Sequence, residues 1–142
     1  MTFKKAFVLQ KLDEIANYIA ETKQLLAFSD GEISKDIFKS HSAERLLQLI
    51  VDSMIDINQH FIKELNLKVS EDFQGTFYIL GENKILSMAF ARKIAPVVGL
   101  RNRIVHRYEE LNQKLFLKTL RKNFPDFTKY LLLVRQYVKT KR

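Results

Sequence analysis

A chain of 142 residues, 46% hydrophobic and 28% charged, amounts to one globular domain, long enough to bury a core and too apolar for disorder. It has no cysteine, which excludes disulfides and thiolate metal sites, and its three histidines, His41, His60 and His106, show no ligand spacing, so no metal site is expected. No apolar run approaches the roughly 18 residues of a membrane span, and acidic residues interrupt the first segment, so a cytoplasmic protein without membrane contact is expected.

Only four glycines and two prolines punctuate the chain, too few for the turns of an all-β fold. Val8, Leu12, Ile15, Ile19 and Leu26 recur at helical spacing and predict a first helix over about residues 3 to 27, broken by "FSDGEIS". Leu47, Ile50, Met54, Ile57, Phe61 and Leu65 form the apolar face of a second helix, expected from about Ser40 to Asn66. Its other edge carries Glu44, Gln48, Asp52 and Asp56 four residues apart, along one slowly drifting strip. Such a strip is ordinarily solvated, but Asp52 and Asp56 stand among enough apolar neighbours to be candidates for bracing a site across the bundle.

"NLKVSEDFQGTFYILGEN" reads as a connection holding at most a short helical piece, and "ENKILSMAFARKIA" resumes helical spacing up to Ala95. Pro96 either opens a new helix or kinks the old one, since it cannot donate an amide. One or two helices close the chain, with Phe127, Tyr130, Leu131, Val134 and Val138 on the buried side. The expectation is a single all-α domain over residues 1–142, an antiparallel bundle of four or five helices.

Charge is unevenly spread. Residues 1–112 hold 15 basic and 15 acidic side chains, whereas the last 30 residues hold 9 basic and 1 acidic. Lys114, Lys118, Arg121 and Lys122 share one helical face, which reads either as a solvated basic surface or as a surface for phosphates.

The stretch "GLRNRIVHRYEE" gathers polar groups where a bundle usually places core. On an ideal helix Ile104, Val105 and Tyr108 fall on one side near Arg101, Asn102 and His106 stack one turn apart, and Arg103 and Arg107 point to solvent. Arg101 and His106 stand about 140° apart on that wheel, awkward for one site unless the arginine curls round or a second subunit completes it. Taken alone, His106 reads as a histidine at the edge of the core.

It is not alone. "RNRIVH" followed by "RY" fits Arg-x4-His-x-Tyr with an asparagine directly after the arginine. With the preceding "VVGL" and the earlier long helix "SAERLLQLIVDSMIDINQHFI", the chain resembles the HEPN superfamily over nearly its full length, and within it the HepT branch, the toxin half of bacterial HepT/MNT toxin–antitoxin pairs. The resemblance implies a metal-independent endoribonuclease without cofactor, acting on RNA (tRNA or mRNA) from a symmetric homodimer. Its catalytic pair would be Arg101 and His106. An imidazole suits proton transfer near neutrality, and a permanently charged guanidinium can fork onto phosphoryl oxygens.

Asn102 would orient the imidazole or bind a phosphate oxygen, though packing or a helix-start cap explains it equally well. Asp52 or Asp56 would brace the pair, and Arg103 and Arg107 would add to the RNA-binding charge. In the HepT branch the tyrosine of the motif, here Tyr108, accepts AMP from an MNT nucleotidyltransferase antitoxin, which silences the toxin; without that resemblance it reads as an aromatic at the bundle edge. A different class stays open beside this one: a non-catalytic HEPN-type module serving as companion of a nucleotidyltransferase.

Overall fold

The computed structural model describes residues 3–106 and 111–141. Seven α-helices are found among the described residues: α1 Lys5–Leu25, α2 Asp30–Lys35, α3 Ile37–Glu64, α4 Phe73–Glu82, α5 Met88–Ile94, α6 Val97–Val105 and α7 Gln113–Lys139. No strand is present among these residues, and none of the helices is long and apolar enough to cross a membrane.

The three long helices follow the apolar periodicity. Val8, Leu12 and Ile15 of α1 are fully buried, as are Leu47, Ile50, Met54, Ile57 and Phe61 of α3 and Phe127, Tyr130 and Val134 of α7. Burying such side chains contributes roughly 1.5–3 kcal/mol each, so these faces dominate the stability of the bundle. Two predicted stripes end differently. In α1 the buried positions beyond Ile15 are Thr22 and Leu25, with Ile19 and Leu26 only partly covered, and Leu65 at the end of α3 is likewise partly covered.

The expected count of four or five helices falls short because Ser29 and Asp72 cap short helices inside stretches that read as connections and α6 stands apart from α5, while Asp36 and Ser87 shift the starts of helices already expected. Ser29 and Glu32 form a capping box that opens α2 within "FSDGEIS". Asp36 accepts from the amides of Phe38 and Lys39 at 2.9 and 3.3 Å, so α3 begins at Ile37, three residues before its apolar stripe suggests. The neighbouring Lys39 ammonium, together with these amides, holds the Asp36 carboxyl below its usual range. Asp72 caps α4, and Ser87 caps α5.

α3 and α4 both end in Schellman turns, at Asn66 (φ 55°) and Lys84 (φ 60°), in which the amide of Leu67 returns to Ile62 and that of Ile85 to Leu80. α4 and α5 then lie against each other so closely at Gly81 that a Cβ there would stand 2.9 Å from the Ala91 methyl. Pro96 opens α6 rather than kinking α5. The closing segment is one continuous helix in spite of Pro125: its buried face runs from Phe116 to Val138 and outweighs one missing amide donor.

Candidate active site at the start of α4 and the end of α6

The site-bearing stretch 101–106 ends α6. Its apolar flank is thinner than the helical wheel predicts, with Ile104 half-buried and Val105 39% exposed. α6 packs on α3 and α4, so side chains from three helices meet above Val98. A cleft of about 350 Å³ opens there, lined on the α6 side by Val98, Arg101, Asn102 and His106 and on the α4 side by Glu71, Asp72, Phe73 and Gln74.

Arg101 is the most constrained of these groups. Its Nε donates to Asp52 Oδ1 at 2.7 Å, its Nη1 donates to Asn102 Oδ1 at 3.0 Å, and its guanidinium carbon lies 5.4 Å from the centre of the Phe73 ring. With 14% of the arginine side chain and 35% of the Asp52 side chain exposed, the pair is part-desolvated, which strengthens it relative to a surface ion pair. An arginine held on three sides loses little further side-chain freedom when it meets an anion.

His106 departs from the predicted geometry. It is not a helical residue but the C-cap of α6, with φ −105° and ψ 56°, its amide still donating to Asn102 O at 2.8 Å. Arg101, Asn102 and His106 nevertheless line one cleft within a single chain, so the wheel angle does not keep them apart. Asn102 acts first as a partner of Arg101, which favours neither the helix-cap reading nor a purely apolar packing role.

The acidic strip on α3 divides by position. Asp52 reaches the site, whereas Asp56, one turn on, is exposed and pairs with Lys11 at 3.2 Å, so it does not brace Arg101 or His106. Glu44 is buried and accepts from Gln113 at 2.8 Å, tying α3 to the start of α7.

The basic face of α7 also divides. Lys114, Lys118 and Lys122 are exposed, as is Arg103 on α6. Arg121 is committed elsewhere: its guanidinium donates to Asp30 Oδ1 at 2.7 Å and to the carbonyls of Leu26 and Phe28 at 2.9 and 2.8 Å. It is therefore a clamp on the α1–α2 connection rather than a free phosphate ligand. None of these cations is among the cleft's lining residues. Arg107 and Tyr108 lie outside the described residues. His41 is exposed, and His60 accepts from the Lys4 amide at 3.0 Å, far along α3 from Asp52. Among the described residues no group of three or more His, Cys, Asp or Glu side chains is placed to hold a metal ion.

The α4 wall of the cleft has no counterpart in the sequence-based expectation, which treats residues 66–83 mainly as connection. The wall is rigidly held. Thr76 Oγ1 donates to the Phe73 carbonyl at 2.6 Å and accepts from Asn58 at 3.1 Å, and Asn58 accepts from the buried Tyr130 hydroxyl at 2.7 Å. Burial pushes the Tyr130 hydroxyl well above its ordinary range, so it stays a donor at any ordinary pH. At the cap, the Gly75 amide donates to Asp72 Oδ1 at 2.7 Å, and a Cβ on Gly75 would collide with Ser70 Oγ, so a larger residue there would force that hydroxyl away from its bond to the Asp72 carbonyl. The one readable signal was local: a capping aspartate followed by an aromatic residue and a glycine, "DFQG".

Comparison with known proteins finds relatives over most of the chain. The family model of the HepT-like ribonucleases matches residues 15–134, which contain every element that lines the cleft. The chain is 30% identical over 130 residues to the tRNA nuclease HepT of Aphanizomenon flos-aquae, covering 92% of this chain and 88% of that protein. It is 26% identical to the mRNA nuclease HepT of Shewanella oneidensis over 129 residues, 87% of this chain and 97% of that one. Among solved structures, the tri-AMPylated HEPN toxin of Shewanella oneidensis in complex with MNT antitoxin superposes with a TM-score of 0.83 at 22% identity, covering 92% of this chain and 97% of the toxin. The Bacillus subtilis cytosolic protein YutE, of unknown function, superposes at 0.84 with 12% identity over 97% of this chain and 92% of its own. With a family model spanning most of its length and a nuclease at 30% identity, the chain belongs to the HepT-like ribonuclease family.

Proposed function

We propose that this chain is the endoribonuclease toxin of a toxin–antitoxin pair and that Arg101 and His106 carry the reaction without a metal ion. The supporting observation is the shared cleft in which Arg101, fixed by Asp52 and Phe73, stands with Asn102 and His106. In this reaction the 2′-hydroxyl of RNA attacks the adjacent phosphorus, the bond to the 5′-oxygen breaks, and a cyclic phosphate and a free 5′-hydroxyl result. The proton of the 2′-hydroxyl leaves to a base, and the departing 5′-oxygen gains one from an acid. His106 fills one of these roles, and Arg101 stabilises the charge that builds on the phosphoryl oxygens. In a homodimer the His106 copies of the two subunits divide the acid and base roles.

Replacing His106 by Ala is expected to lower RNA cleavage by about 10²–10⁴-fold and to abolish growth inhibition, with an unchanged helical spectrum, because the residue is exposed at a helix end. Activity should persist after exhaustive EDTA treatment. Cleavage retained in the folded variant, or cleavage lost with EDTA, would remove the metal-free His106 mechanism, and a wild type that cleaves no RNA would leave a non-catalytic companion module as the reading.

The partner is an MNT-type nucleotidyltransferase antitoxin that transfers AMP to Tyr108. The relatives of known structure support this pairing, since one is an AMPylated toxin bound to MNT antitoxin. A phosphodiester placed two residues after His106 competes with substrate phosphate for Arg101. Co-expression with the antitoxin should add one or more AMP units to the mass of the protein and silence it, whereas Tyr108→Phe should stay unmodified and active. Modification mapped to Tyr18, Tyr78, Tyr130 or Tyr137 would refute the assignment.

A further inference from the structure

Beside the catalytic cleft, and sharing Glu71, Asp72 and Phe73 with it, lies a second groove of about 590 Å³ between the end of α3 and the start of α4. We infer that this groove is a nucleobase subsite, which takes the base of a nucleotide flanking the scissile phosphate and stacks it against the Phe73 wall. The inference rests on the reading of the adjoining cleft as the phosphate site.

The lining suits a base better than a phosphate. Ile62, Leu67, Val69 and Phe73 supply apolar surface, and Gln59 and Asn66 supply amide donors and acceptors for a base edge. Folding leaves Val69 80% exposed and Phe73 39% exposed, apolar area that the chain itself does not cover. Lys63 on the α3 side offers a contact for a neighbouring phosphate. Single-stranded RNA is recognised in this manner, by splayed bases stacked on aromatic side chains beside backbone contacts. The wall is pre-organised by the buried chain from Tyr130 through Asn58 and Thr76 to the Phe73 carbonyl, so stacking orders little that was mobile. Because the same ring lies under Arg101, the two spaces meet at one rigid element.

The test uses an RNA oligonucleotide with one strongly cut bond and two versions in which the nucleotide on the 5′ or the 3′ side of that bond is abasic. In the wild type, loss of the base on one of the two sides should lower kcat/KM about tenfold or more, the size of one base–aromatic stack. In Val69→Asp and Phe73→Leu the intact RNA should fall toward the abasic rate, and the abasic penalty should shrink to about threefold or less. A penalty of equal size in the wild type and both variants, or no penalty on either side, overturns the subsite.

Binding gives a second readout that needs no cleavage. A 2′-O-methyl oligonucleotide carrying 2-aminopurine next to the target phosphate should be quenched on binding the wild type and not on binding Phe73→Leu. Quenching that survives this substitution also overturns the proposal. Failure of the adjoining catalytic reading shows differently, as RNA cleavage that persists in His106→Ala.

Discussion

Arg101 and Arg121 enter the chain as equivalent cations and end in opposite roles. Arg101 meets a carboxylate, an amide and an aromatic ring and lines an open cleft. Arg121 spends its guanidinium on one carboxylate and two backbone carbonyls at the α1–α2 connection. Arg121→Met should therefore destabilise the protein by about 1–3 kcal/mol, the cost of leaving acceptors without their charged donor, and leave the salt dependence of RNA binding unchanged. Neutralising Lys114, Lys118 and Lys122 should do the reverse: a flatter salt dependence for every RNA sequence, with little change in melting temperature. Chemical denaturation and RNA titrations at several salt concentrations separate the two. Asp52 and Asp56 repeat the lesson, since residues one turn apart on the same helix edge serve an arginine of α6 and a lysine of α1.

At the scale of the elements, the long helices carry their own evidence in their apolar periodicity, and the short ones do not. α2, α4 and α5 span 6, 10 and 7 residues, too few turns to display a stripe, and their starts depend on single capping side chains that also occur in loops. The tether at the start of α1 has a pH consequence. The His60 ring stacks on Phe7 at 4.6 Å and accepts from the Lys4 amide, an acceptor role that only the neutral ring can fill. Burial holds its pKa below the ordinary 6.5, with nearby Lys4 and Lys63 acting the same way and Glu64 opposing them. The unfolded chain thus binds the proton first as pH falls, so this stabilisation is complete above pH 6.5 and is lost as pH drops through the folded value. Melting temperature should fall from about pH 7 to about pH 5, and less steeply in His60→Gln, which keeps an acceptor but does not titrate. Equal slopes for the two proteins would assign the acid sensitivity to other groups.

For the whole molecule, the placement of Arg101, Asn102 and His106 in one cleft changes what a second subunit is needed for. Geometry within the site does not call for it; the proposed chemistry does, because the proposed reaction moves two protons and each chain offers one imidazole in the cleft. Light scattering at micromolar concentration is expected to give the mass of two chains, through a patch that meets itself across a two-fold axis. A monomer that still cleaves RNA would show that one His106 and water suffice.

The sequence by itself determined that the fold is all-α, where the first two long helices run, and that Arg101, Asn102 and His106 form the motif, because apolar period and residue spacing are properties of the chain alone. Tertiary structure decided which of the acidic groups joins that motif, that Arg121 is a clamp, and that α4 brings Phe73 beneath Arg101. The physical reason is range. Periodicity and capping act within a few residues, whereas Asp52 and Arg101 are 49 residues apart and Arg121 and Asp30 are 91 apart, partners that only the packing of helices can choose.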